Sequence, residues 1–221
     1  MRLTNTLNSW RSGKVINATN DAIRLERSQT EKATEILTNA FYNDPMFRYL
    51  IPETEPAKYN ALKWFCRMTL DVSQPYNQIY TTAGELKGIA AWMPPGHASI
   101  SMLQLLQAGL YALPFKLGWQ KTGRFMSLFS LIEKRHIEEM PKPHWYLFML
   151  GVAPAYQNQG IGSTLLQPVL KQADSDGLPC YLQTSTESAI RFYKRHGFEV
   201  LWQGELPGDS ACIWTMKREP V

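Results

Sequence analysis

Apolar and polar residues change rhythm several times along this 221-residue chain, and the rhythm predicts alternating strands and helices. Residues 21–27 set Ile23 and Leu25 between charged neighbours at a spacing of two, as in a first strand. From Thr30, a residue able to cap, Ala33, Ile36, Leu37 and Ala40 fall on one stripe of a helix. That helix should stop before Asn43-Asp44-Pro45, because proline disfavours a helical residue ahead of it. A second helix over 56–71 carries Leu62, Phe65, Cys66 and Thr69 on one face. Residues 76–82 and 87–94 read as a hairpin of two strands, and Pro94-Pro95-Gly96 ends it.

Two helical patterns between 98 and 140, broken near Leu113-Pro114, form an inserted helical arm. The last third reads as a strand over 144–152, a helix over 159–175, a strand over 179–184, a helix over 187–196 and a hairpin over 198–217. Strand, helix and strand in that order make a right-handed crossover between parallel strands. Such a crossover sets a helix N-terminus at the carboxyl edge of the sheet, where ligands bind. The expectation is one α/β (α+β) domain over 21–221, preceded by a polar tail over 1–20 that lacks the apolar core of a secretory signal.

Composition narrows the function. With 44% hydrophobic and 19% charged residues, the chain can bury a core. Its 23 Lys and Arg against 19 Asp and Glu leave a scattered +4, with no basic block of the kind that binds nucleic acid. The most apolar stretch, 100–117, is interrupted by Gln104, Gln107, Pro114 and Lys116, which argues against a membrane span. Cys66, Cys180 and Cys212 are too few and too widely spaced for a disulfide framework or a zinc site, so a cytoplasmic, metal-free protein is expected. Asp174-Ser175-Asp176-Gly177 lacks the remaining ligands of a calcium loop and reads as a helix exit.

One segment carries chemistry. In residues 152–163, a strand ends at Val152, Pro154 forces a turn, and a helix opens on Gly160 and Gly162. Backbone N–H groups in the first turn of a helix have no intrahelical partner and carry partial positive charge, so this turn can hold a pyrophosphate. The spacing does not suit a dinucleotide fingerprint, which needs a small residue where Leu165 stands, and no Gly-Lys-Ser or Gly-Lys-Thr follows to make a P-loop.

Gln157, Gly160 and Gly162 meet a Q/R-x-x-G-x-G/A signature, and residues 189–198 supply a Phe192-Tyr193 pair before a Gly197-Phe198 helix exit. With these two blocks, residues 150–198 closely resemble the GNAT superfamily of N-acetyltransferases. More narrowly, residues 40–45, 92–96 and 179–185 are similar to a branch that includes puromycin N-acetyltransferase. The resemblance implies a GNAT fold, a mixed central sheet of about six to seven strands flanked by helices, in which splayed parallel strands form a coenzyme A slot.

The resemblance also implies roles. Leu150 and Val152 would bond the pantetheine amides through their backbones, while Gln157, Asn158, Gln159, Gly160, Ile161, Gly162 and Ser163 cradle the pyrophosphate of acetyl-coenzyme A. Tyr193 matches the family tyrosine that protonates the departing thiolate. Relatives place a glutamate as base where this chain has Gln183, and an amide cannot take that proton. Glu187, Asp44, Tyr42 or a water chain are the substitutes, and Cys180 offers a covalent route that direct transfer makes unnecessary. The implied reaction is acetyl transfer to a primary amine of a small molecule in a ternary complex, by a protein that self-associates as a homodimer. Acetylation of a protein N-terminus or lysine, and a non-catalytic coenzyme A sensor, are the alternatives.

Overall fold

A computed structural model describes residues 21–51, 53–206 and 211–221. The tail expected over 1–20 therefore lies outside the described residues, as do residues 207–210 within the expected final hairpin. The strands are β1 (Ala22–Arg24), β2 (Ile79–Thr82), β3 (Gly88–Met93), β4 (Trp145–Val152), β5 (Cys180–Thr184), β6 (Glu199–Glu205) and β7 (Cys212–Arg218). The helices are α1 (Thr30–Phe41), α2 (Pro45–Leu50), α3 (Ala57–Ser73), α4 (Met102–Gln107), α5 (Leu113–Glu139), α6 (Ile161–Asp176) and α7 (Glu187–Lys194).

The strands form one seven-stranded sheet in the order β1-β2-β3-β4-β5-β7-β6. Every neighbouring pair is antiparallel except β4 and β5, which run parallel across the α6 crossover. Alternation along the strands sorts the core into two layers. Tyr146, Met149 and Tyr181 face the side covered by α1, α3 and α5, whereas Leu147, Cys180 and Leu182 face α6. Leu165, Leu166, Val169 and Leu170 of α6 are buried on that second face, each contributing about 1.5–3 kcal/mol. That anchorage fixes where the first turn of α6 points.

Two features differ from the sequence pattern. Between α1 and α3 lies a short helix that the pattern does not show, because Pro45 reads there only as a stop. Pro45 starts α2, with Asp44 capping it through hydrogen bonds from Met46 N at 2.9 Å and Phe47 N at 3.3 Å. The break near Leu113-Pro114 is present as the gap between α4 and α5, with Pro114 in the first turn of α5, and the helical geometry is interrupted once more at Gly118 (φ 77°, ψ 161°), which the pattern does not show. Leu105, Leu113, Leu117, Phe125 and Leu128 of α4 and α5 are buried in the larger core layer, so this helical segment roofs one face of the sheet.

The parallel pair positions the site. β4 and β5 are paired only at Trp145–Cys180, Tyr146–Tyr181 and Leu147–Leu182. Opposite β3 the register slips so that Trp92 faces Leu147 and Ala91 faces Met149, leaving Phe148 as a bulge. Beyond it β4 continues along β3 to Val152, while Gln183 and Thr184 of β5 stay with Thr215 and Trp214 of β7. The two strands therefore part at their carboxyl ends.

Candidate active site

The free edge of β4 follows from strand geometry. Ala153 donates its N–H to the Lys87 carbonyl at 2.9 Å, on the β3 side. Successive residues alternate sides, so Leu150 and Val152 direct their backbone groups toward the gap where β5 has left. The Val152 carbonyl is taken by Gln157, whose Nε2 donates to it at 3.1 Å.

After a 3-10 turn at Pro154–Tyr156, the backbone is left-handed at Asn158 (φ 61°) and at Gly160 (φ 79°). A residue with a Cβ adopts that conformation at a cost of roughly 1 kcal/mol, so glycine suits position 160. The first backbone bond of α6 runs from Thr164 N–H to the Gly160 carbonyl at 3.0 Å. The N–H groups of Ile161, Gly162 and Ser163 are consequently left without intrahelical partners, at the positive end of the helix.

The two glycines have different surroundings. A Cβ at position 160 would stand in open space, but one at position 162 would lie 3.1 Å from Cζ of Phe192. Gly160 keeps the mouth of the turn clear, and Gly162 lets α7 pack against the first turn of α6.

These elements share a cavity of about 740 Å³ whose wall includes Leu150, Val152, Gln157, Asn158, Gly160, Ile161, Gly162, Ser163 and Tyr193. Gln159 is not on this wall, and its amide donates to the Ala155 carbonyl at 3.0 Å. Tyr193 is buried, and burial alone holds its hydroxyl well above the ordinary tyrosine range, so it stays protonated at neutral pH.

The other end of the cavity lies under α2 and α5. Asp44 reaches it with Oδ2 accepting from the Ser185 hydroxyl at 2.8 Å, and burial raises its carboxyl above the ordinary range against the pull of its donors. Tyr146 donates its hydroxyl to Gln183 Oε1 at 2.7 Å, while Gln183 Nε2 is buried with no partner among the described residues. Glu133 of α5 also lines this end and accepts a hydrogen bond from the Ser99 hydroxyl.

Other groups singled out in the sequence lie elsewhere. Tyr42 bonds to Glu55, and Glu187 pairs with Arg191 at 3.5 Å with its side chain 80% exposed; neither lines the cavity. Cys180 packs in the layer facing α6, and burial pushes its thiol up to about 12, which leaves no thiolate for a covalent route. Asp174, at the helix exit, holds Arg218 with two hydrogen bonds of 2.7 and 2.9 Å. His144 is buried with its Nε2 2.7 Å from Nε2 of His136.

Glu133 escaped the sequence reading. Its signal was present, because Phe125, Phe129 and Glu133 recur at a spacing of four, which puts a carboxylate in line with the apolar stripe of a helix. Among the described residues, no helix is long and apolar enough to cross a membrane, and no group of His, Cys, Asp or Glu side chains is arranged to hold a metal ion.

Known proteins resemble this chain in sequence or in fold. An uncharacterized N-acetyltransferase of Schizosaccharomyces pombe is 28% identical over 181 residues, 80% of this chain and 73% of its own length. Two probable serine/threonine-protein kinases of Dictyostelium discoideum match at 22% and 23% identity over 89% and 80% of this chain, which spans only 31% and 20% of their lengths. Among solved structures, histone acetyltransferase HPA2 and related acetyltransferase from Corynebacterium glutamicum superimposes with a TM-score of 0.60 at 20% identity, covering 91% of this chain and 96% of that one. Drosophila melanogaster polyamine N-acetyltransferase gives 0.62 at 16% identity, covering 90% and 98%. Residues 85–198, which span β3 to α7 and include the glycine turn before α6, match the Acetyltransferase (GNAT) family. The chain is a member of the GNAT acetyltransferase family.

Proposed function

We propose that the protein transfers acetyl from acetyl-coenzyme A to a primary amine of a small molecule, within a ternary complex. The observation that carries this reading is that the unpaired N–H groups at the head of α6 and the free edge of β4 open into one cavity. Ile161, Gly162 and Ser163 offer N–H donors to a pyrophosphate, and the open space at Gly160 lets it approach the backbone. Leu150 offers an N–H and a carbonyl to the pantetheine amides, and Val152 offers its N–H, its carbonyl being held by Gln157. Arg195, on the same wall, adds a cation for phosphate.

Tyr193 is the proton donor for the departing thiolate. Its buried hydroxyl retains its proton until a stronger base appears beside it, as the thiolate does when the C–S bond breaks.

A small acceptor fits better than a protein chain, because α5 roofs the acceptor end and its lining is apolar. Resemblance to the puromycin N-acetyltransferase branch and likeness to a polyamine N-acetyltransferase favour the same class. The buried thiols of Cys66 and Cys180 favour a reducing, cytoplasmic setting. One observation favours a second reading: Gln183 in place of a carboxylate would suit a sensor that binds coenzyme A without turning over.

Thiol release from acetyl-coenzyme A over a panel of amines separates the two. Amine-dependent release supports the enzyme. Tight binding of coenzyme A with no release on any amine would establish the sensor instead.

A further inference from the structure

The inherited base position holds an amide, yet the acceptor end of the cavity contains a carboxylate that the sequence motifs do not reach. We infer that Glu133 of α5 binds the ammonium group of the acceptor and takes its proton, and that the surrounding ring wall selects a monoamine borne on a flat apolar body. This inference rests on the acetyltransferase reading above and names the acceptor for the same site.

The charges of the cavity wall are few and separated by task. Asp44, Glu133 and Arg195 are its only Asp, Glu, Lys or Arg residues among those described. Arg195 follows α7 and lies 5.9 Å from the Phe192 ring, which packs at Gly162 in the first turn of α6. Asp44 is committed to the fold, with Oδ1 accepting from the Met46 and Phe47 N–H groups and Oδ2 from Ser185. Glu133 is different: Oε1 accepts from Ser99, and the basic group near Oε2 is His136 Nδ1, at 4.0 Å.

That histidine is no counter-ion. His144 Nδ1 lies 2.7 Å from the Lys142 carbonyl and must carry a proton to bond it. His144 Nε2 then accepts from His136 Nε2 at 2.7 Å, so a neutral His136 presents a bare Nδ1 toward Glu133. Burial lowers the pKa of His136 to about 3, in keeping with a neutral ring. The nearby cations of α5, Lys134 and Arg135, pair with Glu138. Among the described residues Glu133 is thus a carboxylate on a largely apolar wall with no cation paired to it, and such a group gains from a cationic ligand. A second polar atom, Nε2 of Gln183, sits buried in the same wall with no partner among the described residues, while Oε1 of the same amide accepts the Tyr146 hydroxyl.

The body of the acceptor is read from the rings. Phe41 and Phe47 meet edge to face at 5.4 Å, Phe47 and Phe65 at 5.1 Å, and Phe65 and Phe125 at 5.9 Å, while Phe129 stacks on Phe125 at 6.1 Å. All five line the cavity. A flat apolar group has aromatic faces and edges to pack against there. A polyamine would bring additional ammonium groups with no free carboxylate to meet them, and an amino acid would bring a carboxylate close to Glu133.

One proton of the ammonium passes to Glu133 Oε2, and the freed lone pair forms the C–N bond at the thioester carbonyl carbon as the C–S bond breaks. Tyr193 gives its proton to the thiolate, and the second proton shed by the nitrogen on becoming an amide replaces it. The products are the N-acetyl amine, the free thiol and one proton released from Glu133 to solvent.

The test uses the full chain, acetyl-coenzyme A and three probes: phenethylamine, spermidine and phenylalanine. Phenethylamine should show kcat/KM at least about tenfold above the other two, and a preference for spermidine or phenylalanine would overturn the inference. Glu133→Gln keeps the size of the side chain and an acceptor for Ser99. It should lower kcat/KM for phenethylamine by about 10²-fold or more and move the rising limb of the pH profile upward, with coenzyme A affinity held within twofold. Wild-type kcat/KM and pH profile in this variant would overturn the role of Glu133, and the amine panel decides the acceptor class even if the variant fails to fold. If acetyl-coenzyme A itself did not bind, the acetyltransferase reading would fail first, and calorimetry tells that outcome apart from an error about the acceptor.

Discussion

The Ser185 hydroxyl donates to the Asp44 carboxylate at 2.8 Å, joining the carboxyl end of β5 to the cap of α2 across 141 positions of sequence. The same carboxylate accepts the first N–H groups of α2, so one side chain both starts that helix and fastens it over the parted strands. Asp44→Ala should cost about 1–2 kcal/mol in urea unfolding, the usual loss for an N-cap. Ser185→Ala should cost about 1–3 kcal/mol, because it leaves a buried carboxylate oxygen without its donor. The double variant should lose less than the sum of the two, since the second penalty exists only while Asp44 is present. Strict additivity would show that the bond does not couple the two elements.

The two glycines of the cradle should respond differently. Gly160→Glu places bulk and negative charge in open space at the mouth of the turn, so coenzyme A affinity should fall by at least about tenfold while the protein still folds. Gly162→Ala crowds Phe192 at 3.1 Å and should lower the urea midpoint, because the ring of Phe192, itself packed on Tyr193 and His196, must shift to admit the methyl group. Unchanged affinity in the first variant would remove Gly160 from the cradle, and an unchanged midpoint in the second would remove the packing role of Gly162.

Burial is the one cause that raises the pKa of the Tyr193 hydroxyl, and no side-chain partner holds that hydroxyl among the described residues. Tyr193→Phe should therefore leave stability and coenzyme A affinity nearly unchanged and lower kcat by about 10²-fold or more. Wild-type turnover would exclude the hydroxyl as proton donor.

Much of this was legible in the sequence, and the reasons are local. The strand end at Val152, the proline turn and the glycine-led helix are fixed by short-range backbone chemistry, so the glycine turn and the parallel crossover are legible in residues 144–184. The short helix α2 was not, because Asp44-Pro45 ends one helix and begins another with the same residues. Glu133 was hidden for a different reason. Whether a carboxylate on an apolar stripe meets solvent, a cation or a cavity depends on how α5 lies over the sheet, and periodicity does not contain that information.

The histidine pair gives the fold an acid sensitivity that can be predicted with its sign. Burial drives the pKa of His136 to about 3 and also lowers that of His144, whereas both titrate near 6.5 when unfolded. Below pH 6.5 the unfolded chain gains protons that the folded one refuses, so stability present above that pH is lost as pH falls toward 3. His136 alone should contribute a slope approaching about 1.4 kcal/mol per pH unit below its unfolded pKa. His136→Gln keeps a donor for His144 and cannot titrate. Its loss of stability between pH 7.5 and 5.5 should be smaller than that of the wild type by about 1 kcal/mol, and equal losses would contradict the assignment.

The central claim is that the amide hydrogens at the head of α6 hold the diphosphate of a coenzyme A thioester. Calorimetric titration of the full chain with acetyl-coenzyme A tests it most directly, with Gly160→Glu as the control. Saturable binding in the micromolar range by the wild type, lost in the variant, is the predicted result. No heat of association at millimolar ligand with folded wild-type protein would contradict it.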